Sequence, residues 1–435
     1  MQIVNILGLG LSLALLVWLS YKGWNALAST LVASLVLCLF NGLNPVNAIM
    51  NEYMQGFMQL VKSTLLIFAF GALFGKVMGS ARATVSIAYK LLDLIGVKRV
   101  ILAMLITIVL LTYAGINGFV IIFSVYPIIV ALCTEANLPK RLALATMMAG
   151  CFTIPVVLPG NAGNIQAMLA SALGVSVLDA PLWGILPGAL MFILSYLYLV
   201  REQKKAQKNG EGFVEGVTAF GKVDLSRDNL PNVWLSLLPM VVLVGFIFIM
   251  SNVMEPMASV VTALALATTT AYAIFWKRIP DKMKILNNGL MCCAETVMNV
   301  AAITGFTFII QSLPVFNIIL AQMMTWNISP LILLVLILAI VGAVSASAPG
   351  AASFFTGGLM THFTSLGISS GVLMRFAILG SSATVNVPHS GGIVGAFALT
   401  GTNHKECYKD IFVTGVVIPV ITTVITLLIA VIAGA

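Results

Sequence analysis

Apolar runs of about 20 residues, the length that one crossing of a ~30 Å hydrocarbon layer needs, recur along nearly the whole chain, separated by short polar connections. Windows near 4–20, 25–42, 58–79, 182–200, 232–251, 257–275, 289–312 and 411–434 predict membrane helices, and those at 141–175 and 371–400 predict helices interrupted midway. Two further apolar pairs, 99–134 and 329–366, each turn on small polar residues, GING at 115–118 and SASAPGAAS at 345–353. Hydropathy leaves open whether their arms cross fully or form re-entrant hairpins. Residues 81–96 follow another pattern. There Val85, Ala88, Leu92 and Ile95 share one helical face, with Arg82, Ser86, Lys90 and Asp93 on the other, which predicts a helix lying along the membrane interface. The first run lacks a basic leader and a small-residue cleavage site, so it reads as the first span rather than a removable signal.

Composition agrees with a polytopic membrane protein. The 435 residues are 60% hydrophobic and 8% charged, with a mean hydropathy of +1.07, which excludes a set of soluble domains. The net charge of +8 matters through its placement and implies no nucleic-acid partner. Of the 22 Lys and Arg, all but Lys62 and Arg375 fall in connections on one side of the span map, while Glu52, Asp179 and Glu255 occupy the other. The positive-inside rule then places both termini outside and the 201–230 loop in the cytoplasm, in a bacterial cytoplasmic membrane. The six cysteines show no metal-ligand spacing and read as small packing residues; no metal site is expected.

The 201–230 loop divides the chain into halves, 1–200 and 231–435, that resemble each other at an offset of roughly 230 residues. AGCFTIPVVLPGNAGNIQAM (149–168) lies opposite ILGSSATVNVPHSGGIVGAF (378–397), and the two small-residue turns also correspond. Each half carries five crossings, an odd number, so the halves are expected to be inverted with respect to one another. Inverted repeats with interrupted spans are the signature of secondary transporters, whose substrate site forms near the midplane between the halves. The predicted fold is therefore all-α and polytopic: two inverted five-span repeats, each with a hairpin and a broken helix.

The interruptions carry the candidate chemistry. A backbone that leaves helical geometry at membrane depth needs partners for its N–H and C=O groups, so LPGNAGN and VNVPHSGG imply a buried or water-lined cavity. A half-helix starting at each break offers free N–H groups and a positive dipole end, which suits a small organic anion. Asn161, Gly163, Asn164, Thr384, Asn386, His389 and Ser390 are the candidate binding residues at the breaks. If the hairpins are re-entrant, Asn117, Gly118, Ser347 and Ser353 join them. The alternative for these Gly and Pro residues is close helix packing alone.

The stretches GALFGKVMG, GVKRV, INGFVIIFSVYP, LPGNAGNIQAM, LGVSVLDAP, MRFAILGSSATV, VPHSGG and NHKECYKDIF resemble the gluconate permease (GntP) family of proton-coupled carboxylate transporters. The resemblance covers most of the chain and implies an elevator mechanism, with re-entrant hairpins, broken helices and a homodimer of scaffold and moving domains. Sugar-acid members carry a His- and Pro-rich first break. LPGNAGNIQ is closer to the branch with short hydroxy or keto acid substrates.

No cofactor is expected beyond a coupling ion, a proton or alternatively sodium held by carbonyl-rich turns such as SASAPG. An unperturbed imidazole titrates near neutrality, which makes His389 a candidate proton carrier; its alternative is a neutral ring bonded to exposed carbonyls. Glu295 is either a second carrier or a snorkelling carboxylate, and Arg375 reads as bonding helix ends, with attraction of the anion from outside as the alternative. An enzyme is not expected, because HExxH, paired membrane aspartates and a His/Cys cluster are all missing. An anion channel is a remaining alternative, since polar re-entrant turns also build filters.

Overall fold

The structure, a computed structural model, describes residues 2–113, 118–161, 164–214, 228–250, 253 and 256–433. Among these residues every regular element is helical. The first half runs α1 (Gln2–Tyr21), α2 (Ala26–Asn41), α3 (Pro45–Ala48), a π-helical turn at Ile49–Tyr53, α4 (Met54–Ser80), α5 (Ala83–Ile95), α6 (Val100–Tyr113), α7 (Gly118–Glu135), α8 (Lys140–Phe152), α9 (Ile154–Val157), α10 (Asn164–Leu173) and α11 (Leu182–Lys208). The second runs α12 (Val233–Met250), α13 (Pro256–Phe275), α14 (Lys282–Ser312), α15 (Pro314–Met323), α16 (Pro330–Ser345), α17 (Ala348–Phe354), a π-helical turn at Phe355–Leu359, α18 (Met360–Ser365), α19 (Ser370–Ala383), α20 (Gly391–Thr400), α21 (His404–Phe412), a π-helical turn at Val413–Val417 and α22 (Ile418–Ile432).

The helix ends follow local chemistry. Asn25 caps α2 by accepting from the Leu27 N–H, and Gly42, with φ +66°, closes the same helix in the left-handed region that favours glycine. Asn44 caps α3 ahead of Pro45. Ser347 caps α17, and Asn403 caps α21 by accepting from the Glu406 N–H. Helices outrun the apolar windows where their ends are polar: α11 continues to Lys208 and α14 starts at Lys282. Hydropathy marks the hydrocarbon, not the helix, so the polar linker begins about two turns later than residue 201.

Several packing pairs recur in the two halves. α1 lies on α2 as α12 lies on α13, and α2 packs on α14 as α13 packs on α4. α4 and α14 form the most extensive helix pair. α6 packs on α8 as α16 packs on α19, and the second arm of each hairpin reaches across halves, α7 to α20 and α17 to α10. At 1.5 Å per residue, α6 with 14 residues and α16 with 16 are about 21 and 24 Å long. Neither is long enough to cross ~30 Å of hydrocarbon.

Two local expectations need correction. α15, an amphipathic piece following α14, falls outside every predicted window. Ser86 of α5 is not on a wet face: it is buried and donates to the Pro231 carbonyl at 2.7 Å. The cause is tertiary, because α7 and α12 both pack against α5.

Candidate functional site

At the first break α8 stops at Thr153, whose backbone (φ −127°, ψ −73°) leaves the helix and whose hydroxyl donates back to the Ala149 carbonyl at 2.6 Å. One turn, α9, follows, and Gly160 (φ +78°) then reverses the chain in a conformation that suits glycine. The carbonyls freed here are matched by side chains. Gln166 Nε2 donates to Val156 O at 2.9 Å and to Leu158 O, and the Tyr113 hydroxyl donates to Pro159 O at 2.7 Å. Asn161 is buried, with its amide on the Thr112 carbonyl at the end of α6.

The second break is closed in the same way by different residues. The Thr384 hydroxyl donates to Ala339 O on the hairpin arm α16. The Asn386 amide donates to Gly415 O at 3.2 Å, and the Asn386 carbonyl accepts from the Tyr408 hydroxyl at 3.0 Å. Gly415 lies in the π-helical turn at Val413–Val417, and a Cβ there would sit 2.9 Å from the Asn386 Cβ, so the close approach requires glycine. His404 Nε2 pairs with Pro388 O at 2.7 Å, and His389 Nε2 with Val344 O at 3.3 Å. Ser390 is buried at the start of α20.

The breaks approach each other around Phe152. A Cβ placed on Gly118, the first described residue after the tip of the first hairpin, would lie 2.6 Å from the Phe152 ring, and one on Gly392 at the start of α20 would lie 3.7 Å from it. The second hairpin joins from its outgoing arm, where the Ser353 hydroxyl contacts Met168 Sδ of α10 at 3.6 Å. Gly118, Gly392 and Ser390 therefore border the meeting point of the first hairpin with the two breaks, and Ser353 lies against α10. Asn161, Thr384 and Asn386 sit one step back, each with an amide or hydroxyl engaged by a backbone carbonyl, and Ser347 serves as the α17 cap.

His389 takes a different direction. With Val387 and Pro388 it lines a cavity of about 630 Å³ whose other walls are Ala343 and Val344 of α16 and Leu13, Val17 and Tyr21 of α1. Its Nδ1 is buried without a hydrogen-bond partner. Asn117 and Gly163 lie outside the described residues, as do the side chains of Asn164 and Glu295; the backbone of Asn164 opens α10.

Two clusters tie the halves together. At the linker end, Arg141 at the start of α8 bonds Asp410 at 2.6 Å, Glu211 at 2.9 Å and Glu202 at 3.4 Å, and the Tyr198 hydroxyl donates to Asp410 at 2.7 Å. At the other end Arg375 of α19, 1% exposed, donates to the carbonyls of Asp179 (2.9 Å) and Val177 and to Gln166 Oε1 (3.4 Å). Sequence reasoning gave Arg141 only a topological role and gave Gln166, Asp410 and Phe152 none. A glutamine within an otherwise apolar post-break helix was the one available signal.

A family model described as GntP family permease matches residues 1–432. The transporter YxjC of Bacillus subtilis is 29% identical over 455 residues, 95% of each chain. The gluconate permease of Zymomonas mobilis is 23% identical over 395 residues, 84% of each chain. Among solved structures, the YdaH transporter of Alcanivorax borkumensis matches 90% of this chain and 89% of its own at 14% identity, with a TM-score of 0.45.

Proposed function

The chain belongs to the GntP permease family, and on that premise we propose that it is a secondary active transporter that takes up a small organic carboxylate of the gluconate type together with protons. The family is one of membrane transporters rather than enzymes. The observation that carries the reading is the meeting of the two interrupted helices and the first hairpin at Phe152, with the second hairpin's outgoing arm packed on α10. The N-terminus of α20 opens there, α10 begins at the first break, and a carboxylate is the charge such helix starts favour.

In this reading the halves are inverted repeats, and the packing pairs that recur in both, α1 on α2 with α12 on α13 and α6 on α8 with α16 on α19, support it. The arms α6 and α16, too short to cross, make re-entrant hairpins. Helices α1, α2, α4, α12, α13 and α14 form a scaffold, and the hairpins, the broken helices, α11 and α22 form a body that carries the substrate as an elevator. The residues gathered on Arg141 all belong to the basic, linker side of the span map, in keeping with a cytoplasmic linker and external termini. A homodimer in the bacterial cytoplasmic membrane completes the proposal.

Counterflow in proteoliposomes tests the substrate and the coupling. Labelled gluconate, 3-hydroxybutyrate and citrate are offered with an imposed pH gradient, a sodium gradient or neither. Saturable exchange of a hydroxy-carboxylate, driven uphill by an inward proton gradient, is expected. Uptake that depends on sodium alone, or that does not saturate, rejects the proton-coupled carrier.

A further inference from the structure

We infer that Arg375 is a fixed positive charge, held without a salt bridge behind the first break, that sets the affinity of the site for anions. The inference rests on the transport reading above and adds to it a positioning residue that does not touch substrate.

Arg375 is 1% exposed, and its three hydrogen-bonded nitrogens go to neutral acceptors: two backbone carbonyls and the Gln166 amide oxygen. Among the described residues no carboxylate lies within ion-pair distance of it. The nearest acidic residue, Asp179, offers its backbone carbonyl, while its carboxylate accepts from the Ser176 N–H in an exposed turn. Arg141, by contrast, has three carboxylates around it. A buried guanidinium satisfied in hydrogen bonds but facing the Asp179 carboxylate only beyond salt-bridge distance is costly to keep, and the other described carbonyls of the breaks are served by amides, hydroxyls and an imidazole ring.

The position of the charge explains its use. Gln166, in the first turn of α10, accepts from Arg375 through Oε1 and donates through Nε2 to the carbonyls of Val156 and Leu158 on the far side of the break. The guanidinium therefore lies one hydrogen bond behind the segment where the free N–H groups of α10 open. Its charge adds to the positive end of that helix in a low-dielectric setting, where screening by salt is weak. Because it belongs to α19 of the second half, it also couples the first break to the helix that precedes the second.

Charge and structure are separated by two pairs of variants, each expressed as the full chain and checked for a monodisperse, folded population in detergent. Arg375→Lys keeps the charge and loses the fork of bonds; Arg375→Gln loses both. Gln166→Met and Gln166→Glu both lose the Nε2 donors, but only the glutamate neutralises Arg375, and it does so with an ion pair that favours folding. In counterflow with gluconate, 3-hydroxybutyrate and citrate, KM is expected to rise roughly ten-fold in Arg375→Gln and Gln166→Glu. It should stay within about three-fold of wild type in Arg375→Lys and Gln166→Met, with the trianionic substrate most affected. Equal impairment within either pair overturns the inference and makes the cluster purely structural. Should Arg375→Gln fail to fold, the Gln166 pair alone decides. If wild type carries none of the anions, the transport reading fails, and the inference with it.

Discussion

Arg141 and Asp410 stand 269 positions apart in the chain and 2.6 Å apart in the folded protein. Asp410 is 1% exposed, and its second oxygen accepts from Tyr198. Removing the arginine leaves that carboxylate buried without a counter-ion. Arg141→Met is expected to cost about 3–5 kcal/mol, read as a lowered melting temperature of the purified protein. Adding Asp410→Asn to that variant should recover part of the loss, because the stranded charge goes with it.

Glu211 shares the same arginine but is 39% exposed. Hydrogen bonds from Asn209 and from Arg141 hold its carboxyl below the usual carboxylate range. A group whose pKa is depressed on folding stabilises the protein above its unfolded value of about 4.5 and loses that contribution as pH falls through the folded value. Wild type should therefore melt slightly above Glu211→Gln at pH 7. The gap should close as pH is lowered below 4.5, and a gap that widens in acid would reverse the sign.

Gly118 has no room for a methyl group, since a Cβ would stand 2.6 Å from the Phe152 ring. Gly118→Ala is expected to lower transport and to cost about 1–3 kcal/mol by overpacking. Phe152→Leu in the same chain should restore both. Failure of the second change to help would show that the loss comes from the hairpin backbone.

If His389 carries the coupling proton, His389→Gln should retain substrate exchange and lose accumulation driven by a pH gradient. The two assays are read separately on one vesicle preparation. Full accumulation in the variant moves the proton to Glu295 or to the substrate carboxylate. The cavity beside α1 gives this variant a second readout. Because the Nδ1 of His389 has no partner there, the loss of the ring should cost little stability.

Much of this was legible from pattern alone. The windows around α1, α2, α12 and α13, both small-residue turns and both breaks are written in runs of apolar residues and in Pro and Gly, and these act locally. What could not be read depends on contacts between distant segments. Arg141 meets Asp410 across 269 positions and Ser86 meets Pro231 across 145, and no periodicity within either window reports the other. Phe152 is one aromatic among 23 phenylalanines, and only the glycines facing it mark it out. The candidate asparagines were found as polar residues in apolar surroundings, a signal that does not distinguish a side chain awaiting a ligand from one already bonded to a neighbouring carbonyl.

Pro159 and Pro388 lie 229 positions apart at matching points of the two breaks, and each carbonyl receives one side-chain donor at 2.7 Å. The donors themselves do not match: 229 positions from Tyr113 stands Gly342, and 229 positions from His404 stands Val175. A phenol arriving from upstream does in one half what an imidazole arriving from downstream does in the other. The two halves thus share the place where the backbone is left wanting, while the residue that supplies the want was free to be recruited twice. Aligning the halves by residue identity recovers the shared prolines and overlooks the partners. Aligning them by which carbonyl must be served sets Tyr113 beside His404.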